Sequence, residues 1–140
     1  MISYTDSLQG ITPCQLQGFL AHWDFVPPEG TLLEILRGSS HFIVARQDSE
    51  VVGYIAVLCD HVSCAYISHL EVRAQHRNNG VGKELVQRLL SRIGDVHGIY
   101  LGCAPSVEPF YEKLGFTKAT GMKRRKQRSS DGAEPAAKER

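Results

Sequence analysis

The stretch that decides the fold is Leu70-Glu-Val-Arg-Ala-Gln-His-Arg-Asn-Asn-Gly-Val-Gly-Lys83. It joins the end of an apolar strand to a helix through a turn that contains Gly80 and Gly82. Glycine lets backbone amides turn toward a ligand and lets that ligand approach closely. The free amides at the start of a helix add partial positive charge. The segment therefore predicts a nest for a phosphate group, although the glycines alone would suit a tight strand–helix turn almost equally well.

Seven consecutive residues are candidates for this phosphate site. They are Arg77, Asn78, Asn79, Gly80, Val81, Gly82 and Lys83, with the two basic side chains at the rim. Two other glycine-rich phosphate motifs are excluded. The GxxxxGK[ST] loop is absent. The GxGxxG motif needs a third glycine at the position where this chain has Leu85. That motif also follows the first strand of a series of alternating strands and helices, whereas here the glycines follow several antiparallel strands.

Upstream of this stretch, strand-like runs are separated by short turns, a pattern typical of antiparallel hairpins. These runs cover residues 41–46, 51–58 and 64–72. Residues 1–5 predict a short first strand. Capping patterns then predict one helix from Thr12 through Leu20 and a second over residues 31–38.

Downstream, apolar residues recur with helical spacing from Leu85 to Ile93, and Gly94 ends that helix. Residues 98–103 predict a buried strand, residues 106–114 a helix and residues 116–122 a closing strand. The order β-α-α-β-β-β-α-β-α-β predicts an α+β fold: a mixed, mostly antiparallel sheet flanked by helices. The strand–helix–strand unit over residues 64–103 should contain a parallel strand pair.

Length and composition favour one domain over residues 1–122. The chain has 140 residues, 42% of them hydrophobic, and a net charge of +1, which suits a packed core and gives no global attraction to nucleic acid. Residues 123–140 are basic and lack core-forming residues, so we expect a disordered tail. No run is apolar enough to span a membrane and residues 1–10 do not resemble a signal peptide, so we expect a cytoplasmic protein.

Two motifs carry a family resemblance. Arg77-x-x-Gly80-x-Gly82, after a strand ending in Leu-Glu-Val72, resembles the acetyl-CoA pyrophosphate loop of the GNAT superfamily. Phe110-Tyr-Glu-Lys-Leu-Gly-Phe116 resembles the second motif of that superfamily, at the expected distance downstream. The resemblance implies an N-acetyltransferase that uses acetyl-CoA as cosubstrate, needs no metal, and acetylates a primary amine of a small molecule or peptide. It also allows a homodimer.

The resemblance assigns roles to individual residues. Acetyl-CoA would lie where two parallel strands splay apart, with the backbone of Leu70 and Val72 pairing with the pantetheine arm. The Val72 amide would polarise the thioester carbonyl. Phe110 would pack on the pantetheine, and Tyr111 would protonate the departing thiolate, unless it is only a half-buried helix aromatic.

The general base is less clearly marked. The positions that correspond to bases in several relatives hold Tyr66 and Ser68. Strict alternation places His69 and Glu71 on the opposite face of the strand, but relatives often have a bulge that breaks this alternation. Glu71 is therefore a candidate catalytic residue, and His69 a second one. A structural ion pair for both, with a water chain carrying the proton, is the alternative.

Other features support competing interpretations. Cys59-x-His61-x-x-Cys64 flanks a hairpin turn rather than a zinc knuckle, so we expect no metal site there. Trp23 and Phe25 would either line the acceptor site or belong to the core. Without an obvious base, a non-catalytic acetyl-CoA-binding sensor or partner module is the alternative function. A nucleic-acid-binding module that uses the basic tail is a weaker third option.

Overall fold

Five strands form one sheet, in the order in which they occur in the chain. The computed structural model describes residues 1–126, and this sheet lies within residues 1–103, the first of two compact units. The strands are β1 (Ser3–Thr5), β2 (His41–Gln47), β3 (Glu50–Cys59), β4 (Cys64–Val72) and β5 (Gly98–Tyr100). Neighbours from β1 to β4 are antiparallel, and β4 and β5 are parallel. The predicted mixed sheet and its parallel pair are confirmed.

One face of the sheet is covered by the helix that connects β4 to β5. This helix, α2 (Val81–Ile93), contacts β2, β3 and β4. Its apolar stripe is buried, as the spacing of the sequence predicted. The helix ends before Gly94, whose positive φ of 71° suits glycine. The connection holds the start of α2 directly after the end of β4.

The opposite face is covered by residues from the N-terminal part of the chain. Helix α1 (Thr31–Gly38) and a short 3₁₀ turn (Pro13–Leu16) contact each other. Their buried side chains join buried residues of β2 and β3 in one cluster, which includes Leu16, Leu20, Leu36, Val44, Tyr54 and Ala56. Two layers of side chains therefore enclose the middle of the sheet.

The first predicted helix is much shorter than expected. Thr12 caps the turn as predicted, with its amide donating to Gln15 Oε1 at 2.8 Å. The helix does not continue through Leu20, because Gly18 and Leu20 have left-handed φ values of 92° and 65°. A left-handed residue cannot continue a right-handed helix. The prediction of a helix from Thr12 through Leu20 was therefore wrong beyond Leu16.

The second unit begins at Ala104, and its described part, residues 104–126, contains little regular structure. A 3₁₀ turn (Pro105–Val107) leads into α3 (Glu108–Glu112), and no strand forms over residues 116–126. The predicted closing strand over residues 116–122 was wrong: strand formation requires hydrogen bonds from a partner edge, and none of the five strands pairs with these residues. Of the predicted tail, residues 127–140 lie outside the described residues.

Within residues 1–126, no helix is both long and apolar enough to cross a bilayer.

Candidate functional site

The end of β4 has an edge that β5 does not cover. The two strands pair only from Cys64 to Tyr66 on β4, whereas β4 continues to Val72. The Arg73 amide donates to the Val52 carbonyl at 2.8 Å, on the β3 side. Because hydrogen-bonding groups alternate along an antiparallel strand, the amides of Val72 and Leu70 point away from β3. They point toward the side on which β5 has ended.

Residues 77–83, the 77–83 loop, follow immediately after this edge. Asn78 and Gly80 have left-handed φ values of 66° and 83°, and a side chain placed on Gly80 would meet no atom within 4 Å. Helix α2 then begins at Val81, and its first backbone bond runs from the Glu84 amide to the Gly80 carbonyl at 3.0 Å. A glycine N-cap supplies no side-chain acceptor for the first-turn amides, those of Val81, Gly82 and Lys83.

Arg77 ties this loop to the strand end. Its Nε donates to the Val72 carbonyl at 2.9 Å, while the side chain stays largely exposed. Asn79 and Lys83 are exposed as well. The structure thus brings the seven predicted loop residues together beside the open edge of β4. Amide donors, a helix N-terminus and two cations in one open segment favour binding of an anion.

A bulge changes which side chains of β4 lie together. The register passes from Val57 opposite Ile67 to Ala56 opposite His69, so Ser68 is the extra residue. Strict alternation predicted that His69 and Glu71 face away from Tyr66, and this is wrong. The bulge reverses the alternation and places all three on the face that carries Tyr54. We call this side of the sheet the Glu71 face: Tyr54, Ala56, Leu58, Tyr66, His69 and Glu71.

Glu71 is the centre of a hydrogen-bonded cluster on this face. Its Oε1 accepts from the Tyr54 hydroxyl at 2.6 Å and from the Leu20 amide at 3.0 Å. Its Oε2 lies 3.8 Å from Nδ1 of His22, an exposed side chain. Burial raises the pKa of Tyr54, and the neighbouring Glu71 carboxylate raises it further. The Tyr54 phenol therefore remains a neutral donor to Glu71.

His69 lies beside this cluster. Its ring is tilted against that of Tyr54, with the centroids 6.3 Å apart. Burial lowers the pKa of His69, and this effect outweighs the opposing effect of Glu71. His22 also lowers it. The imidazole is thus held in its neutral form, which can accept a proton.

Sequence reasoning missed Arg73 and Tyr54. The Arg73 guanidinium donates to the carbonyls of Val51, Gln17 and Gln15 at 2.7, 2.9 and 2.9 Å. It also stacks on Phe19, 4.2 Å from the ring centroid. It therefore fixes the N-terminal segment to β3 at the end of β4. An arginine directly after an apolar strand is a weak signal for such a role, and the residues that it binds are too distant in sequence to identify.

The second unit holds the other predicted site residues. Tyr111 is buried in α3, with its ring edge-on to Phe110 and Phe116 at centroid distances of 4.9 and 5.6 Å. The Phe116 amide donates to the Tyr111 carbonyl at 3.1 Å. Phe110 is half-buried. The FYEKLGF motif therefore forms a small aromatic cluster that fixes the orientation of the tyrosine ring.

In the Cys59–Cys64 segment, the His61 side chain contacts another histidine and not the two cysteines of the motif. Nε2 of His61 lies 2.8 Å from Nε2 of His41, on β2. The backbone around His61 is organised by Asp60, whose carboxylate accepts from the amides of Val62 and Ser63. Within residues 1–126, no three or more His, Cys, Asp or Glu residues are grouped so that they would hold a metal ion.

Comparisons with known proteins agree on one family. The model of the acetyltransferase (GNAT) domain matches residues 9–130. A solved structure from Deinococcus radiodurans R1, described as an acetyltransferase, is 40% identical and covers 89% of this chain and 87% of that chain, with a TM-score of 0.84. A GNAT-family structure from Xanthomonas campestris pv. campestris is 16% identical, covers 89% and 93% of the two chains, and has a TM-score of 0.75.

A structure of AAC(6')-Iy in complex with the bisubstrate analog CoA-S-monomethyl-acetylneamine also matches. It is 17% identical and covers 91% of this chain and 99% of that chain, with a TM-score of 0.68. No curated protein matches the chain.

Proposed function

Because the chain belongs to the GNAT acetyltransferase family, we propose that it is an N-acetyltransferase. It would transfer the acetyl group of acetyl-CoA to a primary amine of a small molecule or peptide. The observation that carries this proposal is the position of the 77–83 loop directly beside the uncovered edge of β4. A nucleotide thioester has both an anionic part for the loop and an amide-rich arm for the edge. The CoA-containing analog in AAC(6')-Iy supports the same ligand class.

The cosubstrate would be held largely by backbone groups. The pantetheine arm would extend the sheet by pairing with Leu70 and Val72, in the manner of an added strand. The pyrophosphate would lie on the first-turn amides of α2, with Arg77 and Lys83 adding charge. Phe110 would pack on the pantetheine, as the family resemblance implies.

In the proposed reaction, the neutral amine attacks the thioester carbonyl. A carbon–nitrogen bond forms, the carbon–sulfur bond breaks, and the amine loses one proton while the thiolate takes one. The Val72 amide would stabilise the negative charge that develops on the carbonyl oxygen. Tyr111 would donate the proton to the leaving thiolate.

For the proton that leaves the amine, we assign the general base to Glu71. The Leu20 amide is shared between both carboxylate oxygens, at 3.0 Å from Oε1 and 3.2 Å from Oε2, whereas the Tyr54 hydroxyl binds Oε1 alone. Oε2, on the side of exposed His22, is therefore the less engaged oxygen and the one that would accept a proton from a substrate or a water. His69 is the alternative base, since burial keeps its imidazole neutral. Comparing kcat of Glu71→Gln and His69→Gln separates these roles, because only the variant that removes the base should lower kcat strongly.

The proposed function is tested by measuring CoA release from acetyl-CoA with a panel of amines and peptides. The N-acetylated product is identified by mass spectrometry. We expect turnover with at least one primary amine. Because Glu71 is engaged by Tyr54 and Leu20, a non-catalytic acetyl-CoA-binding module stays the second candidate, which the family match does not favour. Tight acetyl-CoA binding without any acetylated product across the panel would support that candidate and contradict the proposal.

A further inference from the structure

An exposed apolar row crosses three neighbouring strands. Leu58 on β3 lies opposite Tyr66 on β4, and Tyr66 lies opposite Tyr100 on β5. Cross-strand partners point to the same face of a sheet, so the three side chains stand side by side. Their exposed fractions are 50%, 46% and 52%. Large side chains that stand in a contiguous exposed row are typical of a binding surface, whereas scattered single ones are ordinary.

This row is continuous with the proposed catalytic cluster. Leu58 and Tyr66 belong to the Glu71 face, and the bulge at Ser68 brings His69 into line with them. Ala56, the next residue along β3 on this face, is fully buried in the N-terminal core cluster. The cover on this face therefore stops between Ala56 and Leu58. A molecule that binds along this face would contact the exposed row at one end and His69 and Glu71 at the other, farther along β4.

We infer that the Leu58–Tyr66–Tyr100 row is the floor of the acceptor site. It would bind a primary amine that carries one positive charge, on a flexible chain that ends in an apolar or aromatic group. This inference rests on the proposed N-acetyltransferase function and names the substrate class of the same site. The row would hold the apolar end, and the amine would reach the open edge of β4.

The expected length of the acceptor follows from the distance along β4 between the exposed row and the strand's open edge. Leu70 lies four residues beyond Tyr66, and one of the intervening residues is bulged. At about 3.3 Å per residue, the separation along the strand is roughly 10 Å. A ring joined to the amine by a few methylene groups spans such a distance, whereas methylamine or ammonia would leave the row empty.

The expected charge of the acceptor follows from the number of carboxylates on the Glu71 face. Among the cross-strand pairs that line it, Glu71 is the one carboxylate, opposite Tyr54. One carboxylate complements one ammonium group. The row itself consists of a leucine and two tyrosines and contains no carboxylate, so a second ammonium group there would meet no acidic partner and would have only the weaker attraction of a tyrosine ring.

The test compares kcat/KM for 4-phenylbutylamine, n-butylamine and spermidine in the full chain. We expect the phenyl amine to be favoured at least about tenfold over each of the others. Tyr66→Ser should reduce the preference over n-butylamine by about tenfold, with the dissociation constant of acetyl-CoA within about twofold of wild type. Val62→Ser is the matched control, because Val62 is 74% exposed in the same hairpin but lies outside the row. It should leave the preference unchanged.

Four results would overturn the inference. Preferred acetylation of spermidine would contradict the single charge while leaving the proposed function intact. Equal effects of Tyr66→Ser and Val62→Ser would mean that the row is not the acceptor floor. A dimer in light scattering that Tyr66→Ser dissociates and Val62→Ser does not would assign the row to a second copy of the chain. If acetyl-CoA binds but no amine of any class is acetylated, the proposed function itself fails, and this inference fails with it.

Discussion

The 77–83 loop and the Glu71 face are built in different ways. The loop is one continuous segment, in which left-handed Asn78 and Gly80 and the start of α2 expose backbone amides. The Glu71 face joins side chains from distant parts of the chain, since Glu71 binds the Leu20 amide and the Tyr54 hydroxyl. A local backbone shape can be encoded in a short motif. A long-range cluster exists only when the whole unit has folded.

This difference implies that the two regions contribute differently to stability. The backbone amides of the open loop that have no acceptor within the protein do not stabilise the fold until a ligand binds to them. By contrast, a half-buried carboxylate that satisfies a buried phenol and a backbone amide stabilises the folded state before any ligand arrives. Variants of the loop should therefore alter binding, and variants of Glu71 should alter folding in addition to the catalytic role proposed for its carboxylate.

The largest expected effect is on catalysis, at a residue that belongs to neither region. Tyr111→Phe removes one hydroxyl and keeps the ring packed between Phe110 and Phe116. We expect kcat to fall about a hundredfold, with little change in KM, because a proton donor matters mainly as charge develops on sulfur. Steady-state kinetics with an active amine, after a check of acetyl-CoA affinity, provide the measurement. A variant with the kcat of wild type would make Tyr111 a packing residue.

The second effect is on folding. Glu71→Ala leaves the Tyr54 hydroxyl and the Leu20 amide without their acceptor, so we expect a loss of about 2–3 kcal/mol in the free energy of unfolding. Urea denaturation measures it. Glu71→Gln is the matched control, because its amide oxygen still accepts hydrogen bonds, and it should lose less. Acetyl-CoA affinity of folded Glu71→Ala should stay close to wild type. If Glu71→Ala had the same free energy of unfolding as wild type, the Glu71 face would not stabilise the fold more than the 77–83 loop does.

The third effect is on binding alone. Arg77 is largely exposed, so Arg77→Ala should change the free energy of unfolding by less than about 0.5 kcal/mol. Loss of its charge beside a pyrophosphate should weaken acetyl-CoA binding about tenfold. Titration calorimetry is the measurement, with Arg88→Ala as control, because Arg88 is exposed on α2 and pairs with Glu84 instead. Equal affinities for both variants would place the phosphate elsewhere.

The smallest effect is the pH dependence of stability. Burial lowers the pKa of His69 below its ordinary value of 6.5, so below that pH the unfolded chain takes up a proton that the folded protein resists. Stability should therefore be complete above about pH 6.5 and decline as the pH falls. Because water reaches part of the ring, we expect less than about 1 kcal/mol. His69→Gln should show a shallower decline in unfolding experiments between pH 5 and 7.5. An identical slope would assign the dependence to other groups, such as His41, whose pKa burial also lowers.

The sequence predicted the central architecture because its signals there are local. The three antiparallel runs, the helix that follows the loop and the parallel pairing of β4 with β5 depend on periodicity, glycine positions and chain order. The loop residues were identified for the same reason. The uncovered edge of β4 followed from the family resemblance rather than from periodicity.

The Glu71 face could not be predicted in the same way. The bulge at Ser68 changes which side of β4 carries His69 and Glu71, and its exact position is set by pairing with β3. The left-handed Leu20, four residues beyond the end of the first 3₁₀ turn, has no sequence signal, because leucine rarely adopts that conformation. Its amide is held by Glu71, 51 residues away. Such features arise from tertiary contacts, which local patterns do not contain.

Binding of the acetyl-CoA pyrophosphate by the 77–83 loop underlies both the proposed function and the contrast between the two regions. Titration calorimetry of wild type and Gly82→Glu with acetyl-CoA tests it most directly. An acidic residue in the first turn suits the helix dipole, so the variant should fold, while its side chain excludes the pyrophosphate by size and charge. Gly121→Glu is the control, because a side chain there would meet no atom within 4 Å. We expect one site per chain in wild type and in Gly121→Glu, and at least a hundredfold weaker binding, about 2.7 kcal/mol, in Gly82→Glu. A folded Gly82→Glu protein that binds acetyl-CoA as tightly as wild type would contradict it.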